Sequence, residues 1–275
     1  MTNSLLGALE IATRTDPGLV RGQNEDSVFA DADRGLAILA DGMGGYNAGE
    51  VASRMATEIL SSRLEKAFLD AAGHEAEGGG QAVVQRSLVE HIAAVNTAIY
   101  CAATDQSQFG GMGTTLVATV FCDDRVIVAH IGDSRLYRLR GEEFVALTRD
   151  HSLLQEQIDS GQISQEEARF SINRNLVTRA VGVDPVVEAE VHVHAVCPGD
   201  VYLLCSDGLY DMVEEDEIQH ALELFGVNLE LAAGQLIQMA NDNGGEDNVS
   251  VVVVKVLHEF PAARGRWSKL RSWFR

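Results

Sequence analysis

The sequence is short of positive charge, has no paired cysteines and contains no long apolar run. Its 275 residues carry 21 lysines and arginines against 41 aspartates and glutamates, a formal net charge of −20. A surface this acidic repels phosphate backbones, which excludes nucleic acid as a partner unless a basic patch is segregated from the rest. Four cysteines, Cys101, Cys122, Cys197 and Cys205, form no C-x-x-C pair and no zinc-ligand spacing. Free thiols in a reducing compartment are expected, not a disulfide framework. No stretch of about 18 apolar residues occurs, and residues 1–10 lack a basic region followed by an apolar one, so a soluble, cytoplasmic protein is expected. Pro-rich linkers and internal repeats are absent too, and 46% apolar residues suffice for one large core. Ser206 sits in no G-x-S-x-G elbow, and neither a G-x-x-x-x-G-K-[ST] phosphate loop nor an H-E-x-x-H helix occurs. The usual serine-nucleophile, nucleotide-cradle and zinc-helix chemistries therefore have no carrier.

What is present is unevenly distributed. Residues 261–275 hold five basic residues, Arg264, Arg266, Lys269, Arg271 and Arg275, and no acid; removing those five charges leaves residues 1–260 at −25. Short runs rich in Val, Ile, Leu and Thr predict strands over 11–13, 27–30, 36–40, 115–121, 126–131, 136–139, 201–205 and 249–256. Helical spacing of apolar residues predicts helices over 48–69 and 82–104, joined by a Gly-, Ala- and Glu-rich connector at 71–80, and a second pair over 215–225 and 228–241. Strands cluster instead of alternating with helices as βαβ units do. An α+β class follows, with a largely antiparallel core covered by helix pairs, in a single domain over 1–260. Residues 149–181 are polar, with short helices at 152–160 and 165–170 and no strand signal, and read as a surface insertion.

Where strands end, carboxylates repeatedly stand beside glycine or asparagine: Asn24-Glu25-Asp26, Asp41-Gly42, Gly132-Asp133, Ser206-Asp207-Gly208 and Glu246-Asp247-Asn248. Any one of these alone is an ordinary Asx-type turn. Five beside the strongest apolar runs require a compensating cation. Oxygen donors without clustered His or Cys, and glycines that let backbone carbonyls approach, predict a hard ion, magnesium or manganese. Residues 242–247 lack the acid spacing and closing Glu of a calcium loop.

Arg21-Gly22-Gln23-Asn24-Glu25-Asp26, Ala40-Asp41-Gly42-Met43-Gly44-Gly45, Gly111-Met112-Gly113-Thr114-Thr115, Ile131-Gly132-Asp133-Ser134-Arg135 and Cys205-Ser206-Asp207-Gly208-Leu209, followed by Glu246-Asp247-Asn248, form an ordered series. In that order they resemble the motifs of the metal-dependent serine/threonine protein phosphatases, the PPM or type 2C family, and the resemblance runs from residue 13 to 257. It implies a central antiparallel β-sandwich flanked by helix pairs, with two Mn²⁺ or Mg²⁺ ions at one end and 149–181 as a flap beside them. Asp41 would bridge the metals, Glu25 and the Gly42 carbonyl would complete one ligand set, and Asp207 and Asp247 would hold the other ion. Asp26 would orient metal-bound water. Asp133 matches the position that helps hold a third, weaker metal in bacterial relatives, with Asp207 shared; on its own it reads equally well as a turn carboxylate.

Two divalent ions about 3.5–4 Å apart acidify a bridging water enough for in-line attack on phosphorus near neutral pH, with no covalent phosphoenzyme. The planar fork of Arg21, four residues before Glu25, suits two phosphate oxygens, so Arg21 and Asp41 form the expected catalytic pair. One departure from the family pattern stands out. Some members carry a histidine after the metal-binding Asp-Gly, proposed to protonate the leaving alkoxide; here that residue is Met43, and the general acid has no assigned residue. His151 reads as an ordinary histidine in a polar loop.

The resemblance implies hydrolysis of phosphoserine and phosphothreonine in proteins by a monomer, opposing a bacterial Ser/Thr kinase in general signalling or in type VI secretion control. Two alternatives remain. A small-molecule phosphomonoesterase is one, because metal chemistry alone does not define the leaving group. A phosphoprotein-binding pseudophosphatase is the other, and the intact acids argue against it, since a dead site has no need for repulsive carboxylates. In the tail, Trp267, Trp273 and Phe274 alternate with the five cations, as in a short interfacial segment. Weak docking to an anionic membrane or an acidic partner is expected there, in competition with folding back onto the acidic body.

Overall fold

The computed structural model describes residues 5–45, 47–72, 80–168 and 176–260, so the basic tail and most of the 71–80 connector lie outside the described residues. The chain runs β1 (Leu9–Asp16), β2 (Asp26–Asp31), β3 (Leu36–Met43), α1 (Ala48–Ala72), α2 (Gly80–Asp105), β4 (Gly113–Thr114), β5 (Leu116–Cys122), β6 (Arg125–Ile131), β7 (Arg135–Arg140) and β8 (Glu143–Ala146). It continues through α3 (Leu153–Asp159), α4 (Gln165–Ala168), β9 (Glu190–Ala195), β10 (Val201–Cys205), α5 (Asp207–Tyr210), α6 (Glu215–Phe225), α7 (Leu229–Asp242) and β11 (Val249–Val256). Two antiparallel sheets result, ordered β1-β11-β10-β7-β8 and β2-β3-β5-β6-β9, with β4 paired to the end of β3. The α+β expectation of helix-covered antiparallel strands is met.

The sandwich forms because its central strands are apolar on both faces. Along β11, Val252, Val254 and Val256 point into the space between the sheets, whereas Val249, Val251 and Val253 pack under α6 and α7. In the other sheet Ala37 and Leu39 of β3 face the inter-sheet core, and Leu36, Ile38 and Ala40 face the first helix pair. A strand buried on both sides reads as a continuous apolar run, and burying each such side chain contributes about 1.5–3 kcal/mol. Ala52, Ala56, Leu60 and Leu64 of α1, with Leu88, Ile92, Val95 and Ile99 of α2, supply the covering stripe at near four-residue spacing. A capping box between Glu214 and Glu217 starts α6, and the Asn228 side chain accepts the Leu231 N–H at the start of α7.

Three strands carry no clear sequence signal. Strand β8 is four residues long, β4 is two, and β9 reads Glu-Val-His-Val-His-Ala, whose histidines break the apolar pattern of a half-buried edge. Strand β1 is longer than its apolar run because all eight residues pair in register with β11, from Leu9 opposite Val256 to Asp16 opposite Val249. Between residues 149 and 181, Ser152 caps α3 by accepting the Gln155 N–H, and isolated bridges join Ser152 to Val177 and Thr114 to Val181. All four cysteines are free. Among the described residues no helix is long and apolar enough to cross a membrane.

Candidate active site

The antiparallel register of β2 and β3 sets Asp26 directly opposite Asp41. Like charges facing each other across a ladder repel, so the pairing needs something to neutralise it. The Asp41 backbone is held tightly: its N–H donates to Thr115 Oγ1 at 3.0 Å, and its carbonyl accepts from Thr114 Oγ1 and from the Thr115 N–H, both at 2.8 Å. Ser206 Oγ donates to Asp26 Oδ2 at 2.8 Å and accepts the Ser250 N–H at 3.0 Å, so this buried serine holds a carboxylate in place.

Across the end of the sandwich, loops distant in sequence close around the same point. Asn248 is the staple: its Oδ1 accepts the Glu25 N–H at 2.8 Å, and its Nδ2 donates to the carbonyls of Pro17 and Gln23 at 3.0 and 2.8 Å. That brings the 17–25 loop against the start of β11, and Arg21 Nη2 then lies 2.7 Å from Asp247 Oδ2. The resulting cavity, about 250 Å³, is lined by Arg21, Glu25, Asp41, Asp133, Asp207 and Asp247, with Gly42, Met43 and Val177 on its walls. Every acid expected from sequence at the metals is there; Asp26 stands just behind, on β2. A larger groove, about 350 Å³, runs between α6 and α7 past Asp216, His220, Leu224 and Met239, but no comparable set of acids converges in it.

Electrostatics distinguishes the two. Burial, and then repulsion from Asp26, Asp207 and Asp133, drives the Asp41 carboxyl well above the usual range; Asp207 is driven the same way by burial and then by Asp133 and Asp247. Burial pushes Asp26 up to about 6 and Asp133 to about 7. Asp26 Oδ1 and Asp207 Oδ1 are buried without a hydrogen-bond partner. Orphaned acceptors among mutually repelling carboxylates make a donor set that a hard cation satisfies and that water alone serves poorly. Glycine clears the approach: a Cβ on Gly42 would stand 2.1 Å from the Gly49 carbonyl oxygen, and one on Gly49 2.8 Å from the Glu25 carboxyl.

Other residues act here without having drawn attention in the sequence. Nothing in the sequence signals that Asn248, Thr115 and Ser206 fix the Glu25 loop, the Asp41 backbone and the Asp26 carboxylate. Arg135, forked onto Asp150 and stacked 3.6 Å over the Tyr210 ring, backs the Asp133 turn, whose carbonyl accepts the Tyr210 hydroxyl at 3.1 Å. His151 corrects its reading as an ordinary polar-loop histidine: it is 5% exposed, it contacts Glu190 and His130, and it is not among the residues that line the cavity.

Comparison with known proteins adds to this geometry. A family model described as protein phosphatase 2C matches residues 20–239. The chain is 39% identical over 245 residues to the serine/threonine phosphatase stp of Listeria innocua, covering 88% of this chain and 94% of that one. It is similar to the catalytic domain of the serine threonine protein phosphatase PstP, solved in complex with 2 manganese ions, at 39% identity and TM-score 0.75 over 91% of this chain and 99% of that one. PppA, a key regulatory component of T6SS in Pseudomonas aeruginosa, is similar at 31% identity and TM-score 0.76, over 90% and 98% of the two chains.

Proposed function

The chain belongs to the protein phosphatase 2C family, and from that premise we propose that it is a metal-dependent serine/threonine protein phosphatase. In this reading Glu25, Asp41, the Gly42 carbonyl, Asp207 and Asp247 hold two Mn²⁺ or Mg²⁺ ions, with Asp133 and Asp207 available to a third. The observation that carries it is the convergence of these acids with buried, unpartnered oxygens on Asp26 and Asp207. When bound, such ions acidify water and neutralise phosphate charge. Asp26, its Oδ2 fixed by Ser206 and its Oδ1 without a hydrogen-bond partner, would orient water at the ions from just behind the cavity. Ser206 is committed to Asp26 and Ser250, and Thr115 Oγ1 to Asp41 and Ser134, which favours water as the nucleophile. Met43 has no proton to give, so the proton for the leaving alkoxide would have to come from water or from another group at the cavity. Residues 149–181 serve as a flap, with Val177 already on the cavity wall.

Arg21 is the phosphate anchor. Its pair with Asp247 is about half exposed on the arginine side, and such pairs are worth little, so the guanidinium is free to turn to a phosphate dianion. Losing a charge-assisted contact of that kind costs about 1.5–3 kcal/mol, so Arg21→Ala is expected to lower kcat/KM about 10- to 100-fold with little change in Tm. An unchanged kcat/KM would assign Arg21 to balancing surface acids.

Metal and pH act together on stability. Asp26, Asp41, Asp133 and Asp207 all have raised folded pKa values, so between the unfolded range near 4 and the folded values the native state binds more protons than the unfolded one. Metal-free stability must then fall as pH rises through that window. Manganese cancels the repulsion, so its gain in Tm is expected to be larger at pH 8 than at pH 5.5 by about 5 °C. Equal gains at both pH values would contradict this account.

Phosphate release from a phosphothreonine peptide with manganese tests the function, compared by kcat/KM with small-molecule monoesters. A preference for the small molecules would favour the metabolite phosphatase, and full activity in excess chelator would falsify the metal reading. The substrate phosphoprotein requires a Ser/Thr kinase to make it. The likeness to PppA keeps type VI secretion control as a setting for that pair, and a kinase and secretion components encoded beside this chain would assign it there.

A further inference from the structure

Beside the acidic cavity lies a polar cluster that the proposed chemistry does not use. His130 on β6 and His151 at the start of the 149–181 segment are both buried, with rings stacked 4.8 Å apart. Glu190, the first residue of β9, completes the group: its Oε2 lies 3.2 Å from His151 Nε2 and its Oε1 2.6 Å from His192 Nε2. His130, His151 and Glu190 offer ligand atoms within 4.8 Å of one another, a donor set that suits zinc. The hydrogen bonds argue against ligation. His151 Nδ1 lies 3.1 Å from the Gly132 N–H and must accept it, so in the neutral ring the proton sits on Nε2 and is donated to Glu190. Burial keeps the ring neutral by lowering its pKa. Its one lone pair is already used, and none remains for a metal.

Arg179 Nη1 lies 3.4 Å from His151 Nε2, and as a second donor it is a neighbour and not a hydrogen-bond partner in this tautomer. The backbone of His151 ties the segment to the Gly132 turn. Its N–H donates to the Gly132 carbonyl at 2.9 Å, and its own carbonyl accepts the Thr178 N–H at 2.8 Å, tying in the returning part of the same segment. Gly132 adopts φ +99°, and a Cβ there would lie 2.7 Å from the Thr115 side chain. On the other side of Asp133, Ser134 Oγ is 2.7 Å from Thr115 Oγ1, the same oxygen that accepts the Asp41 N–H. Asp133 is therefore held between two clamps: Ser134 to Thr115 on one side and Gly132 to His151 on the other.

We propose that His151, its tautomer set by Glu190, is a positioning residue that holds the Gly132–Asp133 turn and thereby aims the Asp133 carboxylate into the acidic cavity. The activity arm of its test rests on the phosphatase reading; the spectroscopic arm does not. His151→Asn puts an acceptor where Nδ1 stands, whereas His151→Gln puts a donor where Nε2 stands and leaves Gly132 unpaired. In the full chain, His151→Gln is expected to lower kcat at least tenfold with KM for the phosphopeptide nearly unchanged, and to raise the manganese concentration for half-maximal activity about tenfold. His151→Asn is expected to recover activity to within about threefold of the parent, as a bond to Gly132 requires. Glu190→Ala should cost about threefold by itself and nothing further on the His151→Gln background, because both act through one ring.

Nitrogen-15 spectra of the metal-free full chain should show His151 with Nδ1 bare and Nε2 protonated, and a shifted Gly132 amide in His151→Gln. The opposite tautomer, equal losses in the Asn and Gln variants, or additive losses with Glu190→Ala would each overturn the proposal. If His151→Gln does not fold, the half-buried Glu190 site and the parent spectrum still decide it. A parent chain that releases no phosphate from any phosphopeptide would sink the phosphatase reading while leaving the tautomer test intact.

Discussion

Asp207→Asn should lose about three orders of magnitude in phosphopeptide turnover while gaining stability in the absence of metal. Asp207 opens α5 immediately after β10, and its Oδ1 is buried with no partner. Its carboxyl is held well above the usual range by burial and by Asp133, Asp247 and Asp211. Asparagine keeps the shape and removes the charge, so the unloaded cluster repels itself less and the metal-free Tm rises. The same change takes away a carboxylate proposed for the second ion and shared with a third. Several kcal/mol of charge stabilisation at the reacting phosphate corresponds to roughly a thousandfold in rate. Turnover at saturating manganese, measured beside Tm with and without the ion, checks both halves. Retention of more than about a tenth of the activity would remove Asp207 from the ligand set.

Gly42→Ala should be harmful in both respects at once. The added Cβ would stand 2.1 Å from the Gly49 carbonyl oxygen and 2.5 Å from that of Glu25. Both are backbone atoms, one in the first turn of α1 and the other joined to Gly42 through the bond from its N–H to the Glu25 carbonyl at 3.1 Å, so neither can yield as a flexible side chain would. Overpacking of this kind costs about 1–3 kcal/mol, and Tm is expected to fall by roughly 5 °C or more. The displacement falls on Asp41 and Glu25 themselves, and a misplacement near 1 Å costs about a hundredfold in activity. Gly234→Ala on α7 is the control: a Cβ there meets nothing within 4 Å, and the variant should keep full activity with a small rise in Tm. Wild-type turnover in Gly42→Ala would show that the close approach of β3 and α1 does not shape the site.

Much of this molecule is legible before it folds. Strands β3, β5, β6, β10 and β11 announce themselves because burial on both faces demands unbroken apolar runs, and the helix pairs because one face of each must cover a sheet. The five acidic turns stand out because charge beside such runs has no reason to be there unless something compensates it. Where the signal fails, a competing demand is visible. His192 and His194 hide β9 by interrupting its apolar pattern at a half-buried edge, His192 bonding Glu190, and His151 sits in a polar stretch whose composition says nothing of the pocket that buries it.

Residue types and spacings thus carried the class of fold, the acids and the hard-cation chemistry, since these depend on local periodicity and donor chemistry. Placement came from elsewhere. Asp26 faces Asp41 because of the β2–β3 register, and Arg21 reaches Asp247, 226 residues away, because Asn248 ties the 17–25 loop to β11. The Asp133 turn is aimed by Thr115 on one side and His151 on the other. Such relations are settled by long-range pairing between sheets and loops, and no local pattern of residues encodes them.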